Sequence, residues 1–188
     1  MPIWEDIEDA QLLKIAQDGD ADAFGELYER YAKLIHRFMF AHLDHRIDAE
    51  DLTEEVFLRV WRTLPNFREQ GVPFGAYLYH IARNVLIDHY RRNKRSFRDI
   101  SIEDSYVVDH NPDPSETVTN TLEHQELREV LVQLRDDYRE VLVLRFLSEL
   151  SPEETAQVMK RSVGAVRVLQ HRALSAMRKL MVRNHSEK

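Results

Sequence analysis

Residues 151–174 read SPEETAQVMKRSVGAVRVLQHRAL. Ser151, Pro152 and Glu154 have the spacing of a capping box: a serine N-cap, a proline at the first helical position, and a glutamate that reaches back to the free backbone amide. The spacing predicts a short helix ending near Met159, a turn at Lys160, Arg161 and Ser162, and a second helix from Val163 to about Val182. On the second helix Val166, Leu169, Ala173, Ala176, Met177 and Leu180 share one face, while Gly164, Arg167, Val168, His171, Arg172, Ser175 and Arg178 share the other. From Lys160 to His185 there are five Arg, two Lys and two His, and no Asp or Glu. A helix–turn–helix with one charged face of a single sign is what a reader of the DNA major groove requires. Arg167 suits a guanine edge and Val168 a thymine methyl; Arg172, Arg161 and Lys160 suit phosphates, which position without specifying.

That basic end belongs to an acidic chain of 188 residues with net charge −7. Residues 1–76 carry 8 basic and 16 acidic groups, residues 77–98 carry 6 and 1, residues 99–126 carry none and 8, and residues 160–188 carry 8 and 1. Two basic patches are thus separated by an acidic connector. A single charge run is ordinarily a solvated face; two runs, each on a predicted helix, point to nucleic acid. Five Gly and few β-branched runs favour helices over sheet. The absence of Cys excludes disulfides, Cys-ligated zinc and thiol redox sensing in this chain. With no apolar run near 18 residues and no signal-peptide pattern in residues 1–8, the expectation is a cytoplasmic protein without membrane insertion.

Upstream of the motif, helices are expected from about residue 121 to Leu134 and from Asp137 to Leu147. Residues 96–121, with Ser, Asp, Asn, two Pro and no helical period, read as a linker too long for the inside of a compact domain. The domain expectation is therefore 1–95, a linker over 96–121, and 122–188. In the first part a helix is expected at Asp9–Gln17, ended by Asp18-Gly19. A second is capped by Asp20, with Phe24, Leu27, Tyr28, Tyr31, Leu34, Ile35 and Phe38 at helical spacing. A third is capped by Asp48, with core stripe Leu52, Val56, Val60 and Leu64 and a stop at Pro65. A fourth should run from Phe74 to Asn93, burying Leu78, Ile81, Ala82, Val85 and His89 and presenting His80, Arg83, Asn84, Ile87 and Arg91. The loop before it, Asn66 to Gly75, is rich in turn formers.

These segments together resemble the extracytoplasmic-function (ECF) group of the sigma-70 family, the initiation subunits of bacterial RNA polymerase. FGELYERYAKLIHRF, DAEDLTEEVFLRVWRTLPNFRE and FGAYLYHIARNVLIDHYRRNKR resemble successive parts of the sigma-2 domain. LRDDYREVLVLRFLSELSPEETAQVMKRSVGAVRVLQHRAL resembles the sigma-4 domain. The resemblance covers about residues 8–95 and 122–182. It implies an all-α chain of two small helical domains on a flexible acidic linker, which binds core polymerase and directs it to specific promoters.

The resemblance also assigns residues. Minus-ten recognition falls to Phe67, Arg68, His80, Arg83 and Asn84 around the pocket for melted bases, with Arg91, Arg92, Lys94 and Arg95 on the backbone. Minus-thirty-five recognition falls to Lys160, Arg161, Ser162, Gly164, Arg167, Val168, His171 and Arg172. Docking on the clamp coiled coil of the largest polymerase subunit falls to Asp48, Asp51, Glu54, Glu55, Arg59 and Arg62, while the flap of the second subunit is a further implied contact. An anti-sigma factor is an implied partner, and no cofactor or metal is implied. The linker would thread into the polymerase, although a solvated tether has the same composition. The chain departs from the family in having Tyr77 for a usual Trp, a loop about a residue longer between Arg68 and Tyr77, no Gly in the turn at residues 160–162, Ala165 for Thr, and Val168 for Ser.

Other functions fit less. His42 with His45, Glu123 with His124, and Asp88 with His89 lack a further ligand on a shared face, and no nucleophile motif or Gly-rich phosphate loop occurs, which argues against an enzyme. An ordinary DNA-binding regulator explains residues 150–182 but not Phe67 to Arg95. An anti-sigma or adaptor protein would have no use for two basic faces.

Overall fold

The computed structural model describes residues 7–43, 46–68, 73–99 and 127–186, and the side chains of all of these except 46, 93–99, 185 and 186. The described residues are helical, without a strand. In chain order the helices are α1 (Asp9–Gln17), α2 (Ala21–Phe40), α3 (Arg46–Thr63), α4 (Phe74–Asp99), α5 (127–133), α6 (Asp136–Leu142), α7 (Pro152–Met159) and α8 (Val163–Ser186). A single 3₁₀ turn, Leu64–Asn66, follows α3, and a π-helical turn, Val143–Leu147, extends α6.

Local chemistry sets most boundaries. Asp20 caps α2 by accepting from the amides of Asp22 and Ala23, both at 2.9 Å. The preceding turn needs Gly19 at φ +97°, a conformation costly for a residue with a Cβ. The capping box at α7 is complete: Glu154 N–H donates to Ser151 Oγ at 3.1 Å and Ser151 N–H donates to Glu154 Oε2 at 2.7 Å. Two boundaries differ from expectation. Helix α3 begins at Arg46, so Asp48 lies in its first turn rather than at the cap, where it still meets the positive end of the helix dipole. Helix α4 continues to Asp99 rather than stopping at Asn93, because Arg and Lys are good helix formers and no Gly or Pro interrupts the run.

Helices α1 to α4 pack pairwise around Leu27, Ile35, Phe38, Met39, Val56, Val60, Leu78, Ala82 and Val85, none of which reaches solvent. Each of the larger of these side chains, Ala82 aside, contributes roughly 1.5–3 kcal/mol by leaving water. On α4 the buried face is completed by Leu86, while His89 is only half-buried. In the second half α6 and α7 pack on α8 through Val141, Val143, Leu144, Val158, Met159, Val166 and Ala173.

The two halves also meet. Helix α7 lies along α4, and the π turn lies against α2. Arg128 of α5 donates to the carbonyl of Leu43 at 2.7 Å, with its guanidinium 4.4 Å from the centre of the Phe40 ring. Arg83 of α4 is ion-paired through Nε to Glu140 of α6.

Candidate nucleic-acid interface

The basic face of α8 is open. Arg161, Ser162, Gly164, Arg167, Val168, His171 and Arg172 are all exposed, as is Lys160 before them, while Val166 and Ala173 on the opposite face are fully buried. The turn is built by local bonds. Lys160 takes the left-handed conformation (φ 53°, ψ 48°) that ends α7, the place where Gly is the usual occupant. Ser162 Oγ accepts from the amide of Ala165 at 3.2 Å, so Ser162 serves the start of α8 rather than standing free. Arg161 approaches Asp137 at 3.8 Å and Arg167 approaches Glu153 at 3.6 Å. The latter pair is exposed on both sides and worth little, so Arg167 gives it up cheaply to another anion. Behind the motif, Arg145 donates to the carbonyl of Leu150 and, at 3.1 Å, to Gln170 Oε1, tying the loop before α7 to α8.

A second site forms at the loop before α4. A cavity of about 550 Å³ is lined by Thr63, Asn66, Phe67, Arg68, Ala76, Tyr77, His80, Gln157 and Val158. Three residues assigned from sequence, Phe67, Arg68 and His80, line it. Its floor is aromatic, with the rings of Phe67 and Tyr77 4.4 Å apart between centres, and the hydroxyls of Thr63 and Tyr77 are 2.6 Å apart. Asn84 and Arg83 lie one turn further along α4: Asn84 Nδ2 is 3.4 Å from His80 Nδ1, and Arg83 turns to Glu140. Arg91 and Arg92 are exposed on the next turns. The side chains of Lys94 and Arg95 lie outside the described residues.

Gln17 of α1, absent from the sequence reading, holds this loop by donating to the carbonyls of Leu64 at 3.1 Å and Phe67 at 2.8 Å. A half-buried Gln at a helix end is a faint signal, and only the fold brings it to residues 64 and 67. Gln157 and Val158, also absent from that reading, come from α7 and complete the lining of the cavity. Burial, with Lys160 and Arg83 nearby, holds the His80 imidazole below its ordinary pKa and favours the neutral ring.

The residues assigned to polymerase docking sort into two groups. Glu55 and Arg59 belong to an ion network that joins α3 to α4: Arg59 contacts Glu55 at 2.5 Å and Asp88 at 2.9 Å, and Arg92 reaches Glu55 at 3.3 Å. Asp51, Glu54 and Arg62 face solvent, while Asp48 is half-buried. With them on the outward face stand Ile47, 71% exposed, and Leu58, 55% exposed. The sequence reading missed these apolar members; their signal was their position off the Leu52–Val56–Val60 core stripe.

Among the histidines weighed as ligands, His42 is buried, with Nδ1–H donating to the carbonyl of Phe38 at 2.7 Å. His45 and the Glu123–His124 pair lie outside the described residues. Among the described residues no group of three His, Asp or Glu is placed to hold a metal ion, and no helix is long and apolar enough to cross a membrane.

Residues 27–96 match the family model "Sigma-70 region 2" and residues 124–177 match "Sigma-70, region 4". The chain is 37% identical over 174 residues to the ECF RNA polymerase sigma factor BldN of Streptomyces coelicolor, covering 91% of this chain and 65% of that one, so it spans about two thirds of that relative's length. It is 30% identical to the RNA polymerase sigma factor YlaC of Bacillus subtilis, covering 88% of this chain and 96% of the relative. Its fold is similar to that of the sigma factor RpoE of Bartonella quintana in a co-crystal with the anti-sigma factor NepR, with a TM-score of 0.68 at 22% identity over 84% of this chain and 96% of that one.

Proposed function

The chain belongs to the ECF RNA polymerase sigma factors, which are transcription-initiation factors and not enzymes, and from that premise we propose how its surfaces divide the work of promoter selection. The α8 face reads the minus-thirty-five element as duplex: Arg167, Val168 and His171 meet base edges, and Lys160, Arg161 and Arg172 meet phosphates. The cavity before α4 receives a base from melted minus-ten DNA. The rings of Phe67 and Tyr77, inclined at 38° to one another, offer a face for stacking, and Arg68 and His80 at the cavity, with Asn84 one turn further along α4, supply hydrogen bonds to an exposed base edge. Arg91, Arg92, Lys94 and Arg95 follow the strand.

The outward face of α3, with Asp51, Glu54 and Arg62 around Leu58 and Ile47, docks on the clamp coiled coil of the largest polymerase subunit, and the second half docks on the flap of the second subunit. A mixed acidic and apolar face suits a protein partner better than nucleic acid. Residues 1–95, 96–121 and 122–188 are the three working segments, and the site of action is the cytoplasm, where polymerase and promoter are. An anti-sigma factor is a further partner, as one is for RpoE of Bartonella quintana.

The observation that carries this reading is the coexistence of an open single-sign helix face and an aromatic cavity flanked by cations in one chain. The test is run-off transcription from a genomic library by bacterial core polymerase with and without the protein. New start sites that appear only with the chain support the reading; an unchanged set of starts, or failure to pull down core polymerase, overturns it.

A further inference from the structure

Arg145 is assigned to no base or phosphate, yet it holds the element that reads them. Half-buried in the π turn, it donates from Nη1 to the carbonyl of Leu150 and from Nε to Gln170 Oε1 at 3.1 Å. Leu150 precedes the Ser151 cap of α7, and Gln170 stands on α8 between the buried Leu169 and the exposed His171. A guanidinium only donates, so Gln170 must turn its oxygen, and not its amide nitrogen, toward Arg145. The loop between is held in an uncommon shape. Glu149 sits at φ 55°, a conformation costly for a residue with a Cβ, and the amide of Leu150 returns to the Leu144 carbonyl at 3.0 Å. Such a backbone persists only where its surroundings hold it there.

The apolar stripe of α8 decides which face is buried but does little to fix the angle of the helix about its own axis. Burial is non-directional, and Ala173 and Ala176 in that stripe are small. A hydrogen bond is directional. Gln170 lies three residues after Arg167, on the adjoining turn, so a bond at Gln170 acts where the base-reading side chains leave the helix. Side chains reach about 5–6 Å from the axis, so a rotation of about 15° carries them about 1.5 Å, enough to spoil a bond to a base edge. We propose that Arg145 is a positioning residue for minus-thirty-five readout: through Gln170 it sets the rotation of α8, and so governs how sharply Arg167 and Val168 discriminate base pairs, without adding to the affinity for DNA in general. This rests on the promoter-reading assignment above. The planar fork of Arg145, and not its charge, is what serves two partners 20 positions apart.

The test uses the full chain in complex with core polymerase, on a promoter mapped by the run-off experiment, with each base pair of its minus-thirty-five element replaced in turn. For the parent, the most sensitive base pair should separate matched from mismatched duplex by about tenfold or more. Gln170→Met keeps the bond from Arg145 to Leu150 and removes the one to α8. It should shrink that ratio about three- to tenfold by weakening the matched duplex, while binding to random-sequence duplex and its salt slope stay within about twofold of the parent. Arg145→Lys keeps the charge without the fork and should act alike. Arg145→Met with Gln170→Met should lose no more discrimination than Arg145→Met alone. Equal losses on matched, mismatched and random duplex, tracking a lowered unfolding midpoint, would make the pair merely structural and overturn the proposal. Unchanged ratios in both single variants, or a double variant whose losses multiply, overturn it as well. A parent that starts no transcription or discriminates no base pair strikes the promoter-reading assignment itself, whereas full discrimination by both the parent and Gln170→Met strikes the positioning role alone.

Discussion

Helices α4 and α8 carry the same signature in sequence, an amphipathic helix with cations on its polar face, yet they meet opposite surroundings. The polar face of α8 is exposed along its first three turns, while the corresponding part of α4 is half-buried, with α7 packed beside it and Glu140 of α6 on Arg83. Charge pattern tells which surface is suited to an anion; packing decides whether it is available. A duplex reader needs only to be presented. A pocket of the kind proposed for an unpaired base relies instead on an apolar, stacking-competent surface, which gains by being partly shielded from water.

Acid should disturb the covered side most. His42 lies at the end of α2, near Asp136 and Arg139 of α6, and burial holds its imidazole down to about 4 from the ordinary 6.5. The folded chain therefore resists a proton that the unfolded chain accepts below pH 6.5. Its contribution is complete above that pH and is lost as pH falls toward 4, amounting to about 3 kcal/mol at most. Thermal unfolding at pH 7 and pH 5 should show this loss, and His42→Gln, which cannot titrate but keeps a donor for the Phe38 carbonyl, should flatten the slope. An identical slope in both proteins would remove His42 from the account.

Two substitutions contrast the faces directly. Arg167→Ala should relax discrimination at one base pair of duplex promoter by about 1–3 kcal/mol, read by holoenzyme binding to promoter variants. A uniform loss over all variants would make Arg167 a phosphate contact. Asn84→Ala should slow promoter opening about tenfold, close to 1.4 kcal/mol, and leave closed-complex binding nearly unchanged, as measured by permanganate reactivity and by filter binding. Equal losses in both assays would deny Asn84 a role in base capture.

Smaller effects probe the supports. Gln17→Ala removes donors from two carbonyls of the loop that carries Phe67 and should cost about 1–2 kcal/mol, with faster amide exchange at residues 64–68 by mass spectrometry. Unchanged exchange would show that the loop is held by its aromatic packing alone. Lys160→Gly should raise stability by up to about 1 kcal/mol in denaturant unfolding, because the left-handed cap of α7 suits a residue without a Cβ, while the lost cation weakens DNA binding. A lower stability would mean that the Lys160 side chain contributes contacts beyond its charge.

The elements themselves were legible because their signals are local. Ser151 and Glu154 mark the start of α7 within four residues, Asp20 does the same for α2, and the Val166–Leu169–Ala173 stripe orients α8 without reference to anything else. The open site was legible for the same reason: its residues sit on one helix and in the three-residue turn that precedes it. The cavity was half legible. Phe67, Arg68 and His80 are near neighbours in sequence, but Gln17 and Gln157 reach the same place from either side of them, and no periodicity connects residues 17, 67 and 157. Asp48 misled as a cap because an acid serves both at the cap and within the first turn. Glu140 looked like one more acid of an acidic chain. What it does depends on facing Arg83 across 57 positions, information that resides in the packing of two bodies and in no pattern along either.

The π turn at Val143–Leu147 bears on that packing. There the amide of Ser148 bonds to the carbonyl of Val143, five residues back, at 2.9 Å, so the hydrogen-bonded loop of chain holds one residue more than its α-helical counterpart. One residue corresponds to about 100° of rotation about a helix axis. The turn thus works as a phase shifter. Excising a single amino acid from it would swing everything upstream by more than a quarter of a revolution and leave Glu140 pointing away from Arg83, with no change in the chemistry of either side chain.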